Sequence, residues 1–218
     1  MPRLLFEKTR RAVWISHLDL MRLFQRAFKR AGLPLTHTQG FNPRPSVSIA
    51  LPLSVGTQSH CELLDFSLDG KMPPLEEVRD RLNAALVEGV RVLEVYETAR
   101  KVRDLSLLRC QVVLEYDHGF AEGIPEAIGA LFQRESLLVS KKTKSGMQDQ
   151  DILPMIRQLN VSAVNGQIIL DAMISCQNPA LNPTQLVAAI ERYLPEMAPD
   201  FSRCNRLEIY DADQKLFR

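Results

Sequence analysis

The clearest periodic pattern in the chain lies in residues 16–32. Apolar residues there recur three or four positions apart, which places them on one helical face: Leu20, Phe24, Ala27, Phe28 and Ala31. Ser16 can cap the first turn with Asp19 three residues later, and Gly32 and Pro34 end the helix. The pattern predicts an amphipathic helix packed against a core.

Other apolar runs in the first half predict strands and a second helix. Strands or extended segments are predicted at 3–8, 33–38, 46–53, 61–70 and 90–98, with 12–16 continuing the first strand or returning beside it. A helix is predicted at 73–89, because it begins with proline and acidic residues and ends at glycine.

The second half has a similar order of elements. Strands or extended segments are predicted at 107–117, 136–142 and 204–213, helices at 124–135 and 182–194, and a short extra helix at 149–159. Residues 160–175 contain Asn165-Gly166, a strong signal for a tight β-hairpin.

The last strands of the two halves resemble each other, with Leu-Glu-Val-Tyr at 93–96 and Leu-Glu-Ile-Tyr at 207–210. A duplicated βαββαβ unit explains both this match and the element order. We therefore expect an α+β fold of two tandem ferredoxin-like domains, residues 1–100 and 105–218. Each has an antiparallel sheet with helices on one face, so its other face is free to bind a ligand such as an unpaired base.

The charge is distributed unevenly along the chain. The net charge is +1, but residues 1–60 hold nine lysines and arginines against two acids, a segment charge of +7 that leaves −6 for the remainder. A local positive field of this kind attracts polyanions such as RNA.

Several classes of protein are disfavoured by absent patterns. No apolar run approaches the ~18 residues of a membrane-spanning helix, and the N-terminus does not resemble a signal peptide, so we expect a cytoplasmic protein. The cysteines at 61, 110, 176 and 204 are too far apart in sequence for a zinc or iron–sulfur motif, which predicts free thiols and no metal or other cofactor. No phosphate-binding glycine loop and no HExxH is present, which favours a non-catalytic role.

The polar face of the helix at 16–32 carries Arg22, Arg26, Lys29 and Arg30. Spacings of three, four, seven and eight residues keep these cations together on one side. They form either an ordinary solvated helix face or a phosphate-binding stripe. Lys141, Lys142 and Lys144 are a surface loop or an extension of that stripe.

His17 and Asp19 lie in the predicted first turn of this helix. Asp19 favours the positive end of the helix dipole, whereas a protonated His17 does not. His17 is therefore a helix-start residue, a hydrogen-bonding group in a ligand site, or a weak candidate for a general base.

The loop Gln-Gly-Phe-Asn-Pro-Arg-Pro-Ser at 39–46 is stiffened by two prolines that flank Arg44. Asn42 offers an amide that can read a base edge, and Phe41 can stack on a planar ligand. The loop is either a rigid turn with Phe41 in the core or a preformed binding site.

Residues 15–66 resemble a bacterial family known as radical SAM-linked proteins. The resemblance rests on Ser16-His17-Leu18-Asp19, the arginine-rich helix, Gly40-Phe41-Asn42-Pro43, Pro45, Pro52-Leu53, Gly56 and Glu62. Family members are encoded beside, or fused to, a radical S-adenosylmethionine enzyme, and this chain lacks the CxxxCxxC that holds that enzyme's cluster. The resemblance implies a companion protein whose redox chemistry belongs to its partner.

Three functions follow as hypotheses. The first is an accessory protein that binds RNA, such as a tRNA, or another polyanion beside a radical SAM partner, with His17, Asp19, Arg22, Arg26, Arg30, Phe41, Asn42 and Arg44 in one cationic cleft. The second is a metal-independent ribonuclease with His17 as base and Arg22 or Arg44 stabilising the transition state. The third is a protein-interaction domain that docks the radical SAM partner.

Overall fold

The computed structural model describes residues 1–143 and 146–218, which contain four α-helices and ten β-strands. The protein is a mixed α+β structure, and the strand pairings within each half are antiparallel. The chain divides into two compact units, residues 1–104 with Arg218, and residues 105–217. No helix among the described residues is long and apolar enough to cross a membrane.

The first unit follows the order strand, helix, two strands, helix, strand. Its elements are β1 (Pro2–Lys8), α1 (His17–Arg30), β2 (Val47–Ile49), β3 (Thr57–Phe66), α2 (Leu75–Ala85) and β4 (Val90–Glu97). The strands lie side by side in the order β4-β1-β3-β2. Helices α1 and α2 both contribute to one apolar core with β1, β3 and β4.

The periodicity of α1 is confirmed by its burial. Leu20, Phe24, Ala27 and Phe28 are buried, and Ala31, just past the helix, is partly buried. The ring of Phe24 meets Phe6 of β1 edge-on, with centroids 4.7 Å apart. This packing fixes the apolar face of α1 against the sheet, so its charged face lies outside.

Residues 12–16 do not form the predicted strand. Residues Arg10–Trp14 form a 3₁₀ turn directly after β1. Arg10 has a positive φ of 51°, which reverses the chain, and the amide of Thr9 bonds to the carbonyl of Gly89. The turn buries Ala12 but leaves Trp14 exposed, so the apolar residues of this segment do not belong to a buried strand.

The sheet face of the first unit opposite to α1 is not the open surface that a ferredoxin-like sheet suggests. Arg3, Leu5 and Leu63 point to that side, and all three are buried. Arg3 donates hydrogen bonds to both carboxylate oxygens of Asp65, at 2.6 and 3.1 Å. A solvent-open base-stacking platform is therefore not present on this face of the first unit.

The second unit again begins with a strand and a helix. Its elements are β5 (Leu107–Glu115), α3 (Ile124–Leu131), β6 (Leu138–Thr143), β7 (Gly146–Asp151), β8 (Ile156–Val164), β9 (Gln167–Ser175), α4 (Thr184–Tyr193) and β10 (Phe201–Tyr210). The main strands lie in the order β10-β5-β9-β8, and β6 and β7 form a separate two-stranded sheet. On β9, alternate residues Ile168, Leu170, Ala172 and Ile174 are fully buried.

The hairpin predicted at Asn165-Gly166 is confirmed. Both residues have positive φ, 50° and 77°, which a type I′ turn between β8 and β9 requires. The short helix predicted at 149–159 is wrong: β7 ends at Asp151, Leu153–Met155 is a single 3₁₀ turn, and β8 follows. Pairing with β9 satisfies the backbone of β8, which outweighs a helical spacing of only a few apolar residues.

Candidate polyanion-binding surface

The start of α1 is held by a small network of polar side chains. The hydroxyl of Ser16 accepts a bond from the amide of Asp19 and donates one to its carboxylate, at 3.2 and 2.7 Å. Arg22 donates to the same carboxylate at 2.9 Å. The hydroxyl of Ser16, and then the guanidinium of Arg22, lower the pKa of Asp19 below its ordinary value. Asp19 is therefore an anion that orients Arg22.

His17 follows Ser16 and is partly buried. Its Nδ1 atom is enclosed and has no hydrogen-bond partner among the described residues. An unpartnered ring nitrogen at a helix start can accept or donate a bond to a ligand. Its geometry is compatible with a binding role.

A buried polar group lies beneath this helix start and was missed by the sequence analysis. The side chain of Lys8 is 0% exposed and donates to the carbonyl of Ile15 at 2.9 Å. Glu62 and Ser59 are also fully buried, and the Ser59 hydroxyl donates to Glu62 at 2.8 Å. Glu62, the acid in the family-like pattern, is thus an internal group and not a surface ligand.

The charged side of α1 presents four exposed cations, which we call the basic helix face: Arg22, Arg26, Lys29 and Arg30. Arg22 is paired with Asp19, and Arg30 donates to the backbone carbonyl of Ala85. Within the described residues, no carboxylate lies within ion-pair distance of Arg26 or Lys29. Two of the four charges are therefore available to an incoming anion.

The proline-rich segment forms a pinched hairpin. The amide of Ser46 donates a hydrogen bond to the carbonyl of Thr36 at 2.7 Å, and the amide of Thr38 donates one to the carbonyl of Arg44 at 2.8 Å. The Thr38 hydroxyl also accepts from the amide of Arg44 at 3.0 Å. These bonds close the base of the hairpin and hold residues 39–43 as a defined tip.

The tip points its side chains into solvent. Phe41 is 102% exposed, so the alternative in which Phe41 lies in the core is wrong. Asn42 and Arg44 are also exposed, and no carboxylate in the described part of the chain pairs with Arg44. The tip thus displays an aromatic ring, an amide and a guanidinium together.

The helix start and the hairpin do not meet in one cleft. Lys8 ties the helix start to the first residues of β3, since Lys8 lies opposite Ser59. Thr36 ties the hairpin to Ser67, directly after the last residue of β3. The ten residues of β3 span about 30 Å, so His17 and Asp19 lie near one end of the strand and Arg44 near the other. His17 and Asp19 therefore do not share one cleft with Arg44, as the sequence analysis expected.

The sequence count also overstated the exposed charge. Arg3 and Lys8 are fully buried, and Arg10 pairs with Glu88 at 2.7 Å. Of the second-half lysines, Lys141 is partly buried and donates to the carbonyl of Ala180 at 3.4 Å, while Lys144 lies outside the described residues. The positive electrostatic field available to a ligand comes mainly from α1 and the hairpin tip.

One exposed aromatic residue escaped the sequence analysis. Trp14, the single tryptophan, is 64% exposed. Leu18 one turn later and Val55 are also exposed, and a side chain added at Gly56 would lie 3.6 Å from the Trp14 ring. A lone tryptophan in a basic segment could have indicated an exposed binding residue, but the segment was predicted to be a strand.

Metal ligation has no structural basis among the described residues, where no group of three or more His, Cys, Asp or Glu side chains could hold an ion. Cys61, Cys110 and Cys176 are buried and Cys204 is partly buried.

Residues 2–183 match the family described as "Uncharacterized protein conserved in bacteria (DUF2344)". No curated protein matches the chain. Among solved structures, the chain is similar to an unknown protein from Galdieria sulphuraria, with 13% identity, coverage of 94% of this chain and 96% of the other, and a TM-score of 0.27.

Proposed function

The chain belongs to the DUF2344 family of proteins conserved in bacteria, and we propose that it binds an extended polyanion, an RNA such as a tRNA. The basic helix face contacts phosphates along α1, and the hairpin tip contacts a further part of the same strand. The protein acts as an accessory module and not as the catalyst.

The observation that carries this proposal is the state of three cations. Arg26, Lys29 and Arg44 are exposed, and among the described residues none of them has a carboxylate partner. Surface cations are usually interspersed with acids, so uncompensated cations on one helix and one braced hairpin favour phosphate binding. Each contact would release counterions and make binding depend on salt.

The extent of the basic helix face and the hairpin tip favours a long ligand over a small one. Helix α1 has 14 residues and is about 20 Å long, whereas a small-molecule ligand is largely enclosed in a single pocket. A nucleic-acid strand with a phosphate every few ångströms can contact both patches. Phe41 then stacks on an unpaired base while Arg44 holds its phosphate.

The partner that we propose is a radical SAM enzyme in the bacterial cytoplasm. Support comes from the sequence pattern of residues 15–66, which resembles proteins encoded beside such enzymes. The protein would present the RNA, and the cluster chemistry would belong to the partner.

We also propose that the chain is a tandem ferredoxin-like duplication. In its support, both units run strand, helix, two strands, helix, strand, apart from the β6–β7 insertion. The second supporting feature is strand order, in which β4-β1-β3-β2 of the first unit corresponds to β10-β5-β9-β8 of the second.

A second candidate function is docking of the partner protein, and one observation favours it. Trp14, Leu18 and Val55 are large exposed apolar residues, and Trp14 and Leu18 flank the start of α1. Tryptophan is enriched at the energetic centres of protein interfaces. The ribonuclease hypothesis has weaker support, because His17 and Arg44 are tied to opposite ends of β3.

The direct test is fluorescence anisotropy of labelled bacterial tRNA at 50 and 200 mM salt. Three phosphate contacts, from Arg26, Lys29 and Arg44, predict a fall in affinity of roughly 20- to 40-fold over this range. Absence of binding at micromolar protein in 50 mM salt would reject RNA as the ligand. Binding of the radical SAM partner without RNA, lost in Trp14→Ala, would support the docking function instead.

A further inference from the structure

A groove in the second unit lies far in sequence from the basic helix face. It has a volume of about 700 Å³ and lies between α3 and β8. Gly129 and Ala130 of α3 line one wall, and Ile156, Leu159 and Val161 of β8 line the other. Cavities of this size are in the range that binds ligands or peptide segments.

The strand wall of this groove is a sheet edge. In the described residues β8 pairs with β9 only and ends the strand order β10-β5-β9-β8. The outer backbone amides and carbonyls of an edge strand can pair with an added strand from another chain. The edge is nine residues long, Ile156–Val164, which is sufficient for an extended segment.

The helix wall contains a glycine that the fold itself does not require. Gly129 lies inside the eight-residue helix α3, and a Cβ added there would meet nothing within 4 Å. Glycine is the least favourable helix residue after proline, so alanine would be expected here on stability alone. Close approach of another backbone is a physical reason to keep this position bare.

The charges at the groove indicate the chemistry of its occupant. Arg157 of β8 and Arg134 after α3 are exposed, and neither has a carboxylate partner among the described residues. The guanidinium of Arg134 lies over the ring of Tyr193, 5.3 Å from its centroid, which keeps it positioned. Glu126 is the single acid along the lining.

We propose that this groove binds an extended, acidic peptide segment of a partner protein. The peptide adds as a strand to β8, its backbone passes close to Gly129, and its acidic side chains meet Arg134 and Arg157. Alternate peptide side chains enter the groove beside Ile156, Leu159 and Val161. This function is separate from polyanion binding by the first unit.

The test uses the full chain as bait for a displayed library of random 12-residue peptides, followed by anisotropy with the enriched peptides. Enrichment is expected for alternating apolar sequences with acidic residues, with micromolar affinity. Gly129→Leu adds an apolar side chain at a position where an added Cβ meets nothing within 4 Å. The variant should bind the peptide at least tenfold more weakly, while its melting temperature stays equal or rises. Arg157→Glu should shift the preference toward basic peptides, and the matched surface variant Arg103→Glu should not.

N-methylation of alternate peptide amides distinguishes strand addition from other binding modes. In an added strand, alternate amides donate to β8 and the others point away from it. N-methylation of the amides that donate to β8 should abolish binding, and N-methylation of the others should leave it unchanged. The proposal is overturned if no sequence is enriched, if Gly129→Leu binds equally well, or if both sets of N-methylated peptides behave alike. Salt-dependent binding of tRNA should be the same in wild type and Gly129→Leu, which separates this proposal from the proposed function. A Gly129-sensitive dimer of the chain itself would assign the groove to a second copy and overturn the partner peptide.

Discussion

The ammonium of Lys8 donates a hydrogen bond to the backbone carbonyl of Ile15, 2.9 Å away, from a fully buried position. The bond ties the end of β1 to the residue before the capping Ser16 of α1. A second, longer contact of 3.5 Å reaches the carbonyl of Ser54. One of the nine cations of the basic segment thus organises the helix start from inside, whereas Arg26 and Lys29 lie on its surface.

Replacing Lys8 by methionine should therefore affect folding and not ligand binding. Loss of the ammonium leaves buried carbonyls unpaired, and we expect the free energy of unfolding to fall by about 2–4 kcal/mol. Urea denaturation measures the change. Lys29→Met, at an exposed position of α1, is the matched control and should change stability by less than about 0.5 kcal/mol. Equal effects of the two substitutions would contradict the internal role of Lys8.

Gly89 should be intolerant of any side chain. Its φ is +85°, and an added Cβ would overlap the carbonyl oxygen of Thr9 and approach the Cβ of Ala12 to 2.9 Å. We expect Gly89→Ala to lower the free energy of unfolding by about 2–3 kcal/mol. Gly119→Ala is the control, because Gly119 has a similar φ of +76° and open space around it, so only about 1 kcal/mol of backbone strain is expected. Thermal unfolding of both variants measures the two losses of stability. The difference between them is the cost of the steric overlap with Thr9 and Ala12, because both variants share the backbone strain.

The carboxylate of Asp19 should contribute stability only above acidic pH. Its pKa is lowered in the folded protein by Ser16 and Arg22, so the unfolded chain takes up its proton first as pH falls. The stability advantage of wild type over Asp19→Asn should be full at neutral pH and disappear as pH falls below the ordinary value of 3.8. Unfolding free energies from pH 7 to pH 3 measure this. A constant difference across that range would show that Asp19 acts by shape alone.

Phe41 should matter for ligand binding and not for stability, because its ring is fully exposed. Stacking on an unpaired base is worth about 1–3 kcal/mol, so Phe41→Ala should weaken binding of single-stranded RNA by about 5- to 150-fold. Binding of a perfect RNA duplex, whose bases are not available, should be unchanged. Equal losses for both ligands would assign the effect to hairpin disorder and not to stacking.

The part of the fold that follows local rules could be predicted from the sequence. The apolar spacing of α1 and the Asn165-Gly166 turn depend on neighbours within a few residues, and both are confirmed. Residues 156–159 of β8 were assigned to the predicted helix at 149–159, because Ile152, Met155 and Leu159 also fit a helical face. Only the pairing with β9, a long-range contact, decided between the two.

The candidate site was less predictable for the same reason. Sequence counts treat Arg3 and Lys8 like Arg26, but burial distinguishes them. Closeness in sequence suggested that His17 and Arg44 converge, whereas the antiparallel register attaches them to opposite ends of β3. Trp14 was assigned to a strand, so its exposure to solvent was not predicted.

The most direct test of polyanion binding is the salt dependence of tRNA affinity in a variant that lacks the three cations to which we assign phosphate binding, Arg26→Ala, Lys29→Ala and Arg44→Ala together. Each lost phosphate contact should reduce the slope of log K against log salt concentration by about 0.7–0.9. We predict a slope shallower than that of wild type by about 2–3, and no such change in the control triple variant Arg11→Ala, Lys101→Ala, Arg103→Ala, whose cations are also exposed. Identical slopes for wild type and the first triple variant would contradict the account.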